Sequence, residues 1–196
     1  SCDRWASEFD ALASNRFDRF NLRHIVADEA FDAALQGDHG GGAALAGALH
    51  ALGVKFIMGG GNDDKSLYKE PALLIAALAE SQEARLRLSI IPLFLEHPEF
   101  AIHVRTIAKK LDAPARITLQ CYYSAAVWLG QKYQTDKKPL PDYFSKELNL
   151  SPTNNPNKNL HNLSERHKQL SRTKVNWLGT CEHAVQNRFR SARLGK

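Results

Sequence analysis

Basic residues in the last fifth of the chain are of the type that neutralises phosphate groups. Residues 157–196 contain nine Lys and Arg against two Asp and Glu, a net charge of +7. The whole chain of 196 residues has a formal net charge of +5, so residues 1–156 have a net charge of −2. Such an asymmetry is typical of proteins with an anionic partner. The candidate phosphate contacts here are Arg166, Lys174, Arg188, Arg190 and Arg193.

A second group of bases lies in a segment with the outline of a helix-turn-helix. Residues 105–111 and a helix from about Arg116 are separated by a four-residue turn. In a true unit the second helix enters the major groove, and Thr118 and Gln120 are suitable base-reading types near its start. The rest of that helix is too apolar for a groove, so we favour an ordinary antiparallel helix pair. The candidate phosphate contacts of this segment are Arg105, Lys109, Lys110 and Arg116.

Two glycine clusters have the composition of phosphate-binding loops. Gly40–Gly42 precede a predicted helix, whose first N–H groups could bind a phosphate. Gly59–Gly61 come shortly before Lys65, but a P-loop needs Gly directly before its Lys, and Asp64 is there instead. We therefore interpret the first cluster as a helix entry and exclude a P-loop at the second.

The segment Val54–Gly60, a predicted strand followed by glycines, resembles the opening of nucleotidyltransferase domains. In that family a nearby strand brings two metal-binding carboxylates. Here the corresponding stretch is Glu70-Pro71-Ala72-Leu73-Leu74, so the carboxylate pair is missing and the resemblance does not extend to the activity. A degenerate nucleotidyltransferase-like enzyme domain is kept as an alternative function.

The His and Cys residues form no recognised catalytic or metal-binding pattern. Glu99 and His103 share a helix face, but catalytic zinc usually has three protein ligands. Cys121 lies in an apolar helix, where a thiolate is disfavoured. Cys181 and His183 are two residues apart and would not face each other on a helix. We therefore predict no metal and no cofactor, and favour a non-enzymatic protein.

The elements that position these residues are predicted from apolar spacing, which indicates a mainly α, multi-helix bundle-like domain. A helix after Pro98 is amphipathic, and one from about Arg116 to Tyr133 is apolar nearly all round, as is typical of a buried central helix. Pro92 is expected to kink or split the helix that contains it. Short apolar runs near residues 20–58 predict a small two-stranded element.

Composition along the chain predicts three regions. Residues 1–69 form a helical, glycine-rich region, and residues 70–150 form a helical core with the helix-turn-helix-like pair. Residues 151–196 comprise a linker and a basic C-terminal helix. The linker assignment rests on Ser151–Asn159, which contains four Asn and two Pro.

The function that these features favour is a helical binding or assembly module that contacts nucleic-acid phosphates through its basic C-terminal helix. A protein-interaction subunit with an acidic protein partner fits the charge equally well. Three scattered cysteines favour reduced thiols in the cytoplasm, and no segment has the length and apolarity of a membrane span. The chain opens with Ser1, and its single Met is Met58, so we expect it to start after a processing or cleavage boundary.

Overall fold

Helix is the dominant structure of the described residues. The computed structural model describes residues 40–54, 70–134 and 137–171, with Leu178, Gly179, Glu182 and Val185. Of these described residues 74% are helical and none is in a strand, which confirms the mainly α, multi-helix domain. The helices are α1 (Gly40–Ala51), α2 (Pro71–Glu80), α3 (Ala84–Leu88), α4 (Ile90–Glu96), a 3₁₀ helix (Pro98–Phe100), α5 (Ala101–Lys110), α6 (Ala113–Tyr133) and α7 (Pro156–Ser171).

Part of the chain lies outside this description. The chain divides into two units, Ser1–Gly41 and Gly42–Lys196, and nearly all of the described residues belong to the second. A two-stranded element is predicted near residues 20–58. Within this range the structure describes only residues 40–54, which contain α1 and no strand, and the other residues lie outside the description. The three predicted regions of the chain stay a prediction. No helix within the described ranges has the length and apolar composition needed to cross a membrane.

The first described helix, α1, ends as its glycine predicts. Gly53 has a φ of +75°, a left-handed conformation that glycine adopts without steric cost. The Gly53 N–H donates to the His50 carbonyl at 2.9 Å, and the Val54 N–H donates to the Leu49 carbonyl at 2.9 Å. These two bonds form a Schellman motif, and Val54 and Leu49 are both buried, as its apolar contact requires.

Proline splits the helix that precedes the candidate surface, as expected from the sequence. Pro92 has no N–H to donate to the carbonyl of Leu88, and its ring would clash with that carbonyl. The first segment, α3, therefore ends at Leu88, and α4 begins at Ile90. Ser89 lies at the break, fully buried, and its hydroxyl donates to the Leu86 carbonyl at 2.6 Å.

The long helix α6 is the centre of the described fold. It buries residues along most of its 21-residue length, including Tyr123 and Trp128, and packs mainly against α7 and α4. Asp112 caps it, because the Asp112 carboxylate accepts from the Ala115 N–H at 2.9 Å. The helix therefore begins at Ala113 rather than near Arg116, and the predicted four-residue turn before it is wrong.

The polar stretch before α7 has a defined set of hydrogen bonds. The Asn155 side chain accepts from the Asn157 N–H at 3.0 Å, as a helix-capping residue does, and Pro156 begins the helix. Asn159 is buried and exchanges bonds with Thr153: its amide donates to the Thr153 carbonyl at 2.8 Å, and its side-chain oxygen accepts from the Thr153 N–H at 2.8 Å. The side chains of Asn155 and Asn159 therefore stabilise the start of α7 through these hydrogen bonds.

Candidate phosphate-binding surface

The amphipathic helix α5 separates its apolar and basic residues onto opposite sides. Val104 and Ile107 are buried against the core, as the spacing of apolar residues predicts. The opposite side exposes Arg105, Lys109 and Lys110, which we call the α5 basic face. Arg105 and Lys109 are one turn apart, so the side chains of these two residues lie close to one another.

The α5 basic face has no acidic residue on its own helix. The helix contains no Asp or Glu, and within the described ranges neither Lys109 nor Lys110 takes part in an ion pair. Two lysines in the last turn also interact favourably with the negative end of the helix dipole, so part of their role is to stabilise α5. Their ammonium groups remain accessible to an external anion.

Arg105 differs from the two lysines because an aromatic ring lies beside it. The Cζ atom of Arg105 lies over the Tyr143 ring, 5.6 Å from its centroid, within the range of a cation–π contact. Tyr143 in turn stacks on Tyr123, with centroids 5.8 Å apart and an interplanar angle of 13°. Local spacing in the sequence does not reveal Tyr143, since this residue lies 38 positions after Arg105 in a different segment of the chain.

Tyr123 is the fixed end of this stack. It is fully buried on α6, and its hydroxyl donates to the Pro141 carbonyl at 2.9 Å. Burial, with the nearby Tyr143 and Asp142, raises the pKa of Tyr123 above its usual range, so the phenol stays neutral and remains a donor. The 137–143 segment is thereby held against α6, and Tyr143 is held beneath Arg105.

The start of α6 has one exposed basic residue, and its polar side chains are not free to contact nucleobases. Arg116 is exposed in the first turns of this helix. Gln120 is buried, and its amide donates to the Glu147 carboxylate at 2.6 Å. The Thr118 hydroxyl donates to the Pro114 carbonyl at 3.1 Å. The polar residues that suggested a base-reading helix are therefore used within the fold.

Arg166 has acceptors inside the protein. It is half-buried on α7, where its Nε–H donates to the Leu148 carbonyl at 2.9 Å and an Nη–H donates to the Gln169 side chain at 3.1 Å. The contact with Leu148 joins α7 to the turn of residues 144–149. Arg166 is thus oriented by the fold, in contrast to the α5 basic face. The remaining candidates of the C-terminal segment lie outside the described residues: Lys174, Arg188, Arg190 and Arg193.

A carboxylate lies beside the backbone at the start of α1. A Cβ added at Gly42 would meet the Glu83 carboxylate, which is the end of a flexible side chain and can shift, so packing does not require glycine there. A carboxylate beside the first turn of a helix is favourable for the helix dipole and repels a second anion. The loop at Gly59–Gly61 lies outside the described residues.

The His and Cys candidates have structural partners or are inaccessible. His97 bridges two groups: its Nδ1 is 2.9 Å from the Glu99 carboxylate, and its Nε2 is 2.8 Å from the Leu52 carbonyl. Burial raises the pKa of the Cys121 thiol to about 12, which disfavours a thiolate nucleophile. Among residues that the structure describes, no group of three His, Cys, Asp or Glu side chains is placed to hold a metal ion.

Comparison with known proteins adds no assignment to this surface: no family model, no curated protein and no solved structure matches the chain.

Proposed function

We propose that this protein is a non-enzymatic binding module that contacts nucleic-acid phosphates. The α5 basic face and Arg116 make the contacts that the described structure can support. The observation that carries the proposal is the exposure of three bases within six residues of α5, on a helix without a single acid.

The physical basis is counterion release. A cation that already has a carboxylate partner gains little from a phosphate, because it must first leave that partner. Arg85, Lys132 and Lys168 have such partners in Glu83, Glu182 and Glu165, respectively. The α5 basic face has none in the described structure, so a polyanion that contacts it releases condensed ions without breaking a salt bridge.

The C-terminal bases extend the proposal. Residues 157–196 have a net charge of +7, so they favour the same class of ligand. Phosphate contacts of this kind position a nucleic acid and do not read its sequence. The module therefore binds with little sequence preference.

A second candidate is an interaction subunit with an acidic protein partner. It is favoured by Ile102, which is 73% exposed and lies one turn before Arg105 on the same side of α5. An apolar side chain beside bases suits an acidic segment with an apolar residue. Such a partner would bind without any requirement for phosphate groups.

The test compares two variants with equal loss of charge. The α5 variant is Arg105→Gln/Lys109→Gln/Lys110→Gln. The control variant is Arg85→Gln/Lys146→Gln/Lys168→Gln, which removes three exposed or ion-paired bases from other elements. Binding of a labelled oligonucleotide to the full chain is measured at low salt by fluorescence anisotropy.

The proposal predicts salt-sensitive binding that is weakened on the order of tenfold or more in the α5 variant and much less in the control variant. Absence of nucleic-acid binding at low salt would overturn it. Stoichiometric capture of an acidic protein in place of nucleic acid would favour the second candidate.

A further inference from the structure

Three side chains from three parts of the chain lie in successive contact between the core and the surface. Tyr123 on α6 is the buried end, Tyr143 lies on it at an angle of 13°, and Arg105 on α5 lies over Tyr143. The outer member is exposed, whereas the inner member is fully buried. Arg105 is therefore accessible to a ligand from solvent.

Edge contacts hold the inner rings in place. Phe94 meets Tyr123 edge-on at 4.9 Å between centroids, and Phe144 meets it edge-on at 5.7 Å. Such edge-to-face pairs add to the stability that ring burial already provides. The core therefore fixes Tyr123, the ring on which Tyr143 stacks.

An exposed guanidinium on an aromatic ring is a stacking position for a planar ligand. Arg side chains stack on nucleobases as well as pair with phosphates, whereas the ammonium of Lys acts only as a point charge. Lys109 lies one turn after Arg105, so a phosphate adjacent to a stacked base would meet it. A nucleobase is available for such stacking only where it is not already stacked within a duplex.

We propose that Arg105, supported by Tyr143, stacks on an unpaired nucleobase, and that the ligand of this surface is single-stranded nucleic acid. This inference rests on the proposed function, because it assigns one base position to the phosphate-binding surface. It gives Arg105 a role distinct from that of Lys109 and Lys110, which contact phosphates.

The experiment uses the full chain and three labelled probes: a short oligothymidylate, an abasic oligomer with the same number of phosphates, and a duplex of the same length. Dissociation constants are measured by anisotropy at one ionic strength. The oligothymidylate is expected to bind roughly tenfold more tightly than the abasic oligomer, since one stacked base contributes on this scale.

Arg105→Lys is the decisive variant because it keeps the charge and removes the planar group. It is expected to reduce oligothymidylate binding to the level of the abasic oligomer and to leave abasic binding unchanged. The matched control is Lys109→Gln, which should weaken both oligomers by the same factor. Tyr143→Leu should also reduce the preference for bases, with circular dichroism to verify that the variant is folded.

Each contrary result has one meaning. Equal affinity of the wild-type protein for the oligothymidylate and the abasic oligomer would overturn base stacking and leave the proposed function intact. Tighter binding of the duplex than of the single strand would also overturn the proposal that the ligand is single-stranded, and it would leave the proposed function intact. No binding to any of the probes would overturn the proposed function itself, and the stacking role with it.

Discussion

Helices α5 and α7 each carry three Lys or Arg residues, yet the structure uses them differently. On α5 they are Arg105, Lys109 and Lys110, exposed and without an acid on the same helix. On α7, Arg166 donates to the Leu148 carbonyl, and Lys168 pairs with Glu165 at 2.7 Å. All three bases of α5 are therefore accessible, whereas on α7 Arg166 and Lys168 have partners within the protein and Lys158 is exposed.

The comparison shows that a Lys or Arg side chain stabilises the fold where the protein supplies an acceptor for it, and remains available to an external anion where it does not. A guanidinium next to an unsatisfied carbonyl stabilises the fold, because a buried carbonyl without a donor is costly. An ammonium on an acid-free exposed face gains little within the protein and keeps its affinity for an external anion. A change at Arg166 on α7 should therefore affect stability, and changes on α5 should affect binding.

The largest stability effect is expected at Leu163, which is fully buried where α7 packs on α6. Leu163→Ala removes buried methyl groups and leaves a cavity, so the free energy of unfolding should fall by about 3 kcal/mol. Urea unfolding followed by circular dichroism measures it. The half-buried Leu170 provides the matched control, and Leu170→Ala should cost clearly less. Equal costs would contradict the deeper burial of Leu163 than of Leu170.

Acid should destabilise the protein through His167. Burial, with the nearby charge of Arg87, lowers the pKa of His167 from 6.5 to about 4. The unfolded state therefore binds more protons between these values, so this contribution is fully present above pH 6.5 and is lost as the pH falls toward about 4. The loss reaches up to about 3 kcal/mol.

His167→Gln should remove that part of the pH dependence, as measured by urea unfolding at a series of pH values. His103→Gln on α5 is the matched control, since burial lowers the pKa of His103 as well but that side chain is only half-buried. If the wild-type protein and His167→Gln lose stability in parallel, the buried neutral state of His167 is wrong.

Removing the guanidinium of Arg166 should cost about 2 kcal/mol, because the carbonyl of Leu148 loses its donor. Arg166→Ala should leave affinity for a nucleic acid nearly unchanged. Lys168→Ala is the control on the same helix: it breaks an exposed ion pair and should cost less than about 0.5 kcal/mol. A large loss of affinity with normal stability would restore Arg166 to the binding surface.

The smallest stability effect is expected on α5. Lys109→Gln and Lys110→Gln should each change the free energy of unfolding by no more than about 0.5 kcal/mol, since both side chains are exposed and unpaired in the described structure. Thermal unfolding measures this. A larger loss would show that these lysines are needed for the fold, which would weaken the contrast with α7.

The periodicity of apolar residues predicts the helices that carry and support the α5 basic face. The apolar stripe of α5 and the buried course of α6 follow from the 3.6-residue repeat, and the helix break follows from Pro92 alone. The start of α6 was placed too late because Pro114 suggested a turn. Proline also fits the first turn of a helix, and Asp112 is its cap.

The contacts of individual bases could not be predicted from local sequence. Arg166 and Leu148 are 18 residues apart, and the ring below Arg105 belongs to a different segment of the chain. Spacing rules describe neighbours on one helix, whereas these contacts depend on how separate elements pack. The exposure of Arg105, Lys109 and Lys110 does follow from local sequence, since these residues lie opposite the apolar stripe of α5.

The central claim is that the α5 basic face binds nucleic-acid phosphates, and the salt dependence of binding tests it most directly. The dissociation constant for an oligothymidylate is measured over a range of salt concentrations for the wild-type protein, the α5 variant and the control variant. Removal of three positive charges from the surface that meets the oligonucleotide should make the logarithmic slope shallower by about 2 in the α5 variant, and the control variant should keep the wild-type slope. An α5 variant with the wild-type slope would contradict the account.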